Sequence, residues 1–130
     1  MKLYYAIPGN GPPDLAAFFD LLEPKMRLKL LNQFALLLTP PLPKEPTIKH
    51  FTIGKYSGLY ELRARCKVMV RIIFTLQGDG SILFLAPFVK RHARNTMQAL
   101  DASLKMLAQI KNGTCSVEEM PIKQIIGGLE

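Results

Sequence analysis

The stretch from Gly58 to Arg91 decides the fold. It contains Leu59-Tyr60-Glu61-Leu62-Arg63-Ala64-Arg65, Val68-Met69-Val70-Arg71-Ile72-Ile73-Phe74-Thr75-Leu76 and Ile82-Leu83-Phe84-Leu85-Ala86-Pro87-Phe88-Val89. Each run is rich in aliphatic and aromatic residues and bounded by turn signals, which reads as a strand. Gly78-Asp79-Gly80 makes a hairpin turn, because its residues tolerate positive φ. Cys66-Lys67-Val68 makes the other turn. Side chains alternate along a strand, so Glu61, Arg63 and Arg65 share one face of their strand, and Met69, Arg71, Ile73 and Thr75 share one face of the next. With the turn at Cys66-Lys67-Val68, Arg63 and Arg71 fall opposite each other. Like charges so placed repel by up to about 1 kcal/mol. Either Glu61 neutralises one of them or an anion bridges both.

Working outward, Ile48 to Ile53 adds a strand, and residues 2–7 add a short one before Pro8-Gly9. Leu15, Phe18, Phe19 and Leu22 form a helical stripe. Pro24 opens a second helix, whose inward stripe over Lys25 to Leu38 is Leu28, Leu31, Ala35 and Leu38. The cluster Pro40, Pro41, Pro43 and Pro46 is a stiff loop. His92 to Lys111 returns to helical spacing, with Met97, Leu100, Leu104 and Leu107 on one face. Asn95 and Gln98 resemble a capping box that starts this helix near Thr96. The order β-αα-ββββ-α is an α+β fold, and its short connections imply antiparallel pairing. The helices are expected on one sheet face, leaving the other partly open to a ligand. Residues 1–111 form a single domain; 112–130 are a tail that reads as a short docking helix or a frayed end.

Composition bounds the function. A chain of 130 residues that is 48% hydrophobic is one domain with a core that needs neither disulfide nor metal. Seventeen Lys and Arg against ten Asp and Glu give a net charge of +7, which suits a nucleic acid or an acidic protein. Cys66 and Cys115 show no metal-ligand spacing, so free thiols in a reducing cytoplasm are expected. No run approaches the ~18 apolar residues of a membrane span, and Leu3 to Ile7 is too short for a signal peptide. The expectation is a soluble cytoplasmic protein with no membrane contact. No paired carboxylates, metal cluster or phosphate-cradling glycine loop appear, so neither metal nor cofactor is expected.

The cations carry the chemistry. Lys90 and Arg91 follow the last strand of the central stretch, and His92 comes next. Lys55 lies in the loop before Gly58; Arg65 and Lys67 flank the first hairpin. RNA cleavage by the adjacent 2′-hydroxyl requires a proton taken from it, charge on the phosphorane neutralised, and a proton for the leaving 5′-oxygen. The guanidinium fork suits the second need. A lysine serves as base only if neighbouring cations lower its pKa from ~10.4, whereas a histidine suits either proton transfer at neutral pH, and His92 follows Lys90-Arg91 directly. Arg63, Arg71, Lys90, Arg91 and His92 are the catalytic candidates; Lys55, Arg65 and Lys67 are RNA-binding candidates. The competing reading makes Arg63 and Arg71 structural, paired with Glu61 or Asp79, and His92 an ordinary surface residue.

These residues resemble a known family. Leu59-Tyr60-Glu61-Leu62-Arg63, Val70-Arg71-Ile72-Ile73-Phe74 and Phe88-Val89-Lys90-Arg91 are similar in order and spacing to blocks of the phage-derived HigB/RelE-like toxins. Leu22-Glu23-Pro24-Lys25-Met26-Arg27-Leu28-Lys29-Leu30-Leu31 is similar to their helical segment. The resemblance implies a RelE-like twisted antiparallel sheet and the toxin of a type II toxin–antitoxin pair. Such a toxin is a metal-independent endoribonuclease that cleaves mRNA on the ribosome, and a cognate helix-turn-helix antitoxin silences it. Arg63 and Arg71 would hold the scissile phosphate, and Lys90 or Arg91 would support transition-state charge. Ala86-Pro87 stands where the family often has histidine-glycine, and no tyrosine follows Lys90-Arg91. These departures leave an alternative: a catalytically degenerate relative that binds an antitoxin-like partner or RNA without cutting it.

Overall fold

A computed structural model describes residues 2–7 and 14–121. Among them run β1 (Leu3–Ile7), α1 (Asp14–Asp20), α2 (Pro24–Leu37), β2 (Ile48–His50), a 3₁₀ turn (Gly54–Tyr56), β3 (Leu59–Arg65), β4 (Met69–Leu76), β5 (Ile82–Val89), α3 (Ala93–Lys111) and β6 (Ser116–Glu119). The α+β class stands, while the observed order is β-αα-ββββ-α-β, with an unexpected strand after the last helix. The strand extends into the stretch read as a tail, where Tyr4 to Ile7 of β1 pair with Ser116 to Glu119. The rest of that stretch, from Ile122 on, lies outside the described residues, as do Pro8 to Pro13.

The sheet order is β2-β3-β4-β5-β1-β6. Short turns join β2 through β5 and make those pairs antiparallel. The fully antiparallel expectation fails at β1, which lies parallel to β5 with Leu3, Tyr4 and Tyr5 opposite Ile82, Leu83 and Phe84. The rule of short connections governs only strands that follow one another. β1 is separated from β5 by most of the chain and is free to pair either way.

A second correction concerns the layers. One core cluster gathers Leu15, Met26, Leu30, Phe34 and Leu37 of α1 and α2 over Leu62, Val70, Ile72, Phe74, Ile82 and Phe84. Another gathers Ala99 and Leu100 of α3 over Leu59, Ile73, Leu83 and Leu85. Helices therefore cover both faces rather than one. This is why Ile72 to Phe74 and Ile82 to Leu85 are apolar without alternation: each side of the strand is buried. Phe34 and Phe84 hold α2 to the sheet at a centroid distance of 5.0 Å.

The helical stripes also move. α2 buries Met26, Leu30, Leu31, Phe34 and Leu37, while Leu28 stays 50% exposed. Six leucines between Leu28 and Leu38 let two phases of the helical period fit equally well. α3 starts at Ala93, with His92 as its N-cap. Asn95 accepts at Oδ1 from the backbone N–H of Arg91 and His92, at 2.9 and 2.8 Å. Asn95 is thus the third residue of the helix rather than its cap. Met97, assigned inward, is exposed.

Candidate functional site

β3 and β4 pair with Arg63 opposite Arg71 and Glu61 opposite Ile73, the register read from the alternation. The two arginines meet over one carboxylate. Glu61 is only 1% exposed, and its Oε1 accepts from Arg63 Nε at 2.9 Å. The same oxygen is 3.7 Å from Arg71 Nε, an ion pair too long for a good hydrogen bond. Side-chain exposure is 24% for Arg63 and 12% for Arg71. One buried negative charge thus serves two half-buried positive ones, and the cluster keeps a net positive charge.

Arg71 is the less satisfied of the two. Its remaining contacts among the described residues are the Val70 carbonyl at 3.3 Å and the Met69 sulfur at 3.8 Å. Its Nε, like Glu61 Oε2, is buried without a hydrogen-bond partner. Burial pulls the guanidinium below its ordinary pKa; Glu61 opposes this shift, and Arg63 and Arg65 reinforce it. An arginine so placed remains charged at neutral pH and has donors to spare.

A bulge decides where the Lys90-Arg91-His92 segment falls. Ile73 pairs with Ala86 but Phe74 pairs with Phe84, leaving Leu85 as an extra residue in β5. Before it, Ile82 and Phe84 face α1 and α2; after it, Ala86 and Phe88 join Leu83 and Leu85 on the α3 face. The shift puts Phe88 opposite Arg71 and Lys90 in phase with Phe88. Lys90 donates its backbone N–H to the Met69 carbonyl at 2.8 Å, which ties the segment to the strand bearing Arg71. Arg91 and His92 are exposed, with His92 at the head of α3.

The remaining candidates separate. Lys55 lies on the 3₁₀ turn and pairs with Asp101 of α3 at 3.5 Å, next to a 2.6 Å hydrogen bond from the Tyr56 hydroxyl to the same carboxylate. Arg65 and Lys67 are exposed at the β3–β4 hairpin. Asp79, the other proposed structural partner of Arg71, is instead engaged by the Ser81 backbone and hydroxyl. The structural pairing foreseen for the arginines is therefore with Glu61. The sequence reasoning missed the Leu85 bulge; Pro87, which cannot donate to a ladder, was the one local hint of irregularity.

Hydrogen bonding from Tyr56 is the main reason that Asp101 titrates below the ordinary aspartate range, with Lys55 adding to it. A carboxylate depressed in the folded state contributes stability above its unfolded value. That contribution is lost as the pH falls through the folded value. Below about pH 4 the turn at Gly54–Tyr56 is expected to loosen from α3, and Asp101→Asn to do the same at neutral pH. Faster amide hydrogen exchange confined to residues 54–58 would register both.

Among the described residues no group of three or more His, Cys, Asp and Glu is placed to hold a metal ion, and no helix is long and apolar enough to cross a membrane. No protein-family model matches the chain, and no curated protein matches it. What fold and site define is a small basic α+β domain with a mixed six-stranded sheet and a cationic pair on adjacent strands.

Proposed function

We propose that the protein is the toxin of a type II toxin–antitoxin pair, an endoribonuclease that cuts mRNA on the ribosome without a metal. The observation that supports this most is Arg71, a half-buried guanidinium opposite Arg63 that shares the Glu61 carboxylate at 3.7 Å and otherwise meets only weak acceptors. A phosphate supplies the acceptors it lacks, and the fork geometry allows two oxygens to be held at once. In the reaction the 2′-oxygen bonds to phosphorus and the bond from phosphorus to the 5′-oxygen breaks. The products are a 2′,3′-cyclic phosphate and a free 5′-hydroxyl. Arg63 and Arg71 neutralise the phosphorane, and Lys90, in phase with Phe88 opposite Arg71, adds charge as it forms. Arg91, exposed beside Lys90, adds to that charge, and His92, next along the chain, is the candidate for proton transfer. Cytoplasmic action and a helix-turn-helix antitoxin belong to the same reading.

The shared Glu61 favours a second reading. Its ion pairs with both arginines are those of a structural cluster, and a protein of this kind would bind an antitoxin-like partner or RNA without cleaving it. Primer extension on mRNA incubated with the purified chain, with and without translating ribosomes, decides between them. Cuts that require ribosomes and vanish in Arg63→Ala are expected; intact mRNA from folded protein would leave the binding reading.

A further inference from the structure

The N-terminal half of α2 and the β3–β4 hairpin enclose a groove of about 790 Å³. Its apolar lining includes Leu21 and Leu28, which are 86% and 50% exposed, and Val68, also exposed. Aliphatic side chains of this size left in water on one concave surface mark an interaction site. Lys25, Lys29, Arg65 and Lys67 surround them, and among the described residues Glu23 is the one acidic residue of the lining. Four positive charges less one negative leave the groove at +3. α2 is braced against β3 here: Lys29 Nζ donates to the Arg65 carbonyl, and Gln33 Nε2 donates to the Arg63 carbonyl at 2.8 Å. The groove is preformed, which lowers the ordering cost of binding.

We propose that this groove binds an acidic amphipathic helix from a protein partner. Charge complementarity requires Asp or Glu on the partner, and the leucines and valine require apolar anchors between them. The β3–β4 pairing runs out to Arg65 and Met69, so the hairpin end that borders the groove is closed on itself. Apolar anchors interleaved with charges in a concave groove fit the helix-in-groove mode of recognition. Single-stranded RNA fits less well, since among the described residues no aromatic side chain lines the groove to stack a base. The proposal stands apart from the RNA-cleavage reading, for its test does not depend on activity.

The test is a titration of the isotope-labelled full chain, followed by methyl resonances. The probes are a synthetic helical peptide with leucines at i, i+3 and i+7 flanked by glutamates, the same peptide with lysines for glutamates, and a uridine decamer. The acidic peptide is expected to shift Leu21, Leu28 and Val68. It should bind at least about tenfold tighter than the lysine version and lose about tenfold in Leu28→Asp. Leu28 is exposed, so that variant keeps the fold. Shifts from the decamer and not the peptide would make the groove an RNA site. Peptide binding unchanged by Leu28→Asp, or shifts scattered over the surface, would also overturn the proposal.

Discussion

Arg71→Ala is expected to lower ribosome-dependent mRNA cleavage by about 10²–10³-fold, the usual effect of removing one donor aimed at developing negative charge. Arg71→Lys should recover only part of the loss. An ammonium keeps the charge but not the planar fork that engages two oxygens of one phosphate. The pair of variants separates chemistry from folding. If Arg71 serves only to balance Glu61, lysine restores function fully, and alanine shows a stability loss that accounts for its inactivity. Urea unfolding of both proteins alongside the cleavage assay distinguishes these outcomes. A cleavage rate unchanged in folded Arg71→Ala would remove this residue from the site altogether.

Glu61→Ala is expected to cause the larger change in stability. Removing one member of a buried ion pair typically costs 3–5 kcal/mol, because the partner charge is left uncompensated. Here Arg63 and Arg71 keep some contact with water, so the expected loss is about 2–3 kcal/mol, below that range. The loss should shrink in phosphate relative to chloride at equal ionic strength, since a bound anion would take the place of the carboxylate between the two guanidiniums. Denaturation midpoints in the two salts measure this directly. A midpoint equally low in both would show that the cluster does not accept phosphate, and would favour the structural reading of the arginines. A midpoint equal to that of the native chain would mean that Glu61 is not the needed counter-ion.

The elements most legible in the chain were those whose signal is local. Leu59–Arg65, Met69–Leu76 and Ile82–Val89 lie where the apolar runs and the Gly78-Asp79-Gly80 turn placed them. The opposition of Arg63 and Arg71 followed from period-two alternation and a turn three residues long. Legibility failed where one pattern admitted two phases. The leucine-rich α2 fits two helical stripes, and burial selected the one through Met26, Leu30, Phe34 and Leu37. It thereby left Leu28 on the surface, where it lines the groove.

By itself the sequence determined the α+β class, the hairpins and the pair of opposed arginines, because each depends on residues close together in the chain. Only the tertiary structure decided that β1 enters the sheet parallel to β5, that Ser116–Glu119 forms an outer strand, and that helices cover both faces. It alone placed Glu61 beneath both guanidiniums and, through the extra residue at Leu85, brought Lys90 into phase with the face that carries Arg71. These features depend on pairing between distant segments, and one inserted residue in a strand reverses every side chain beyond it.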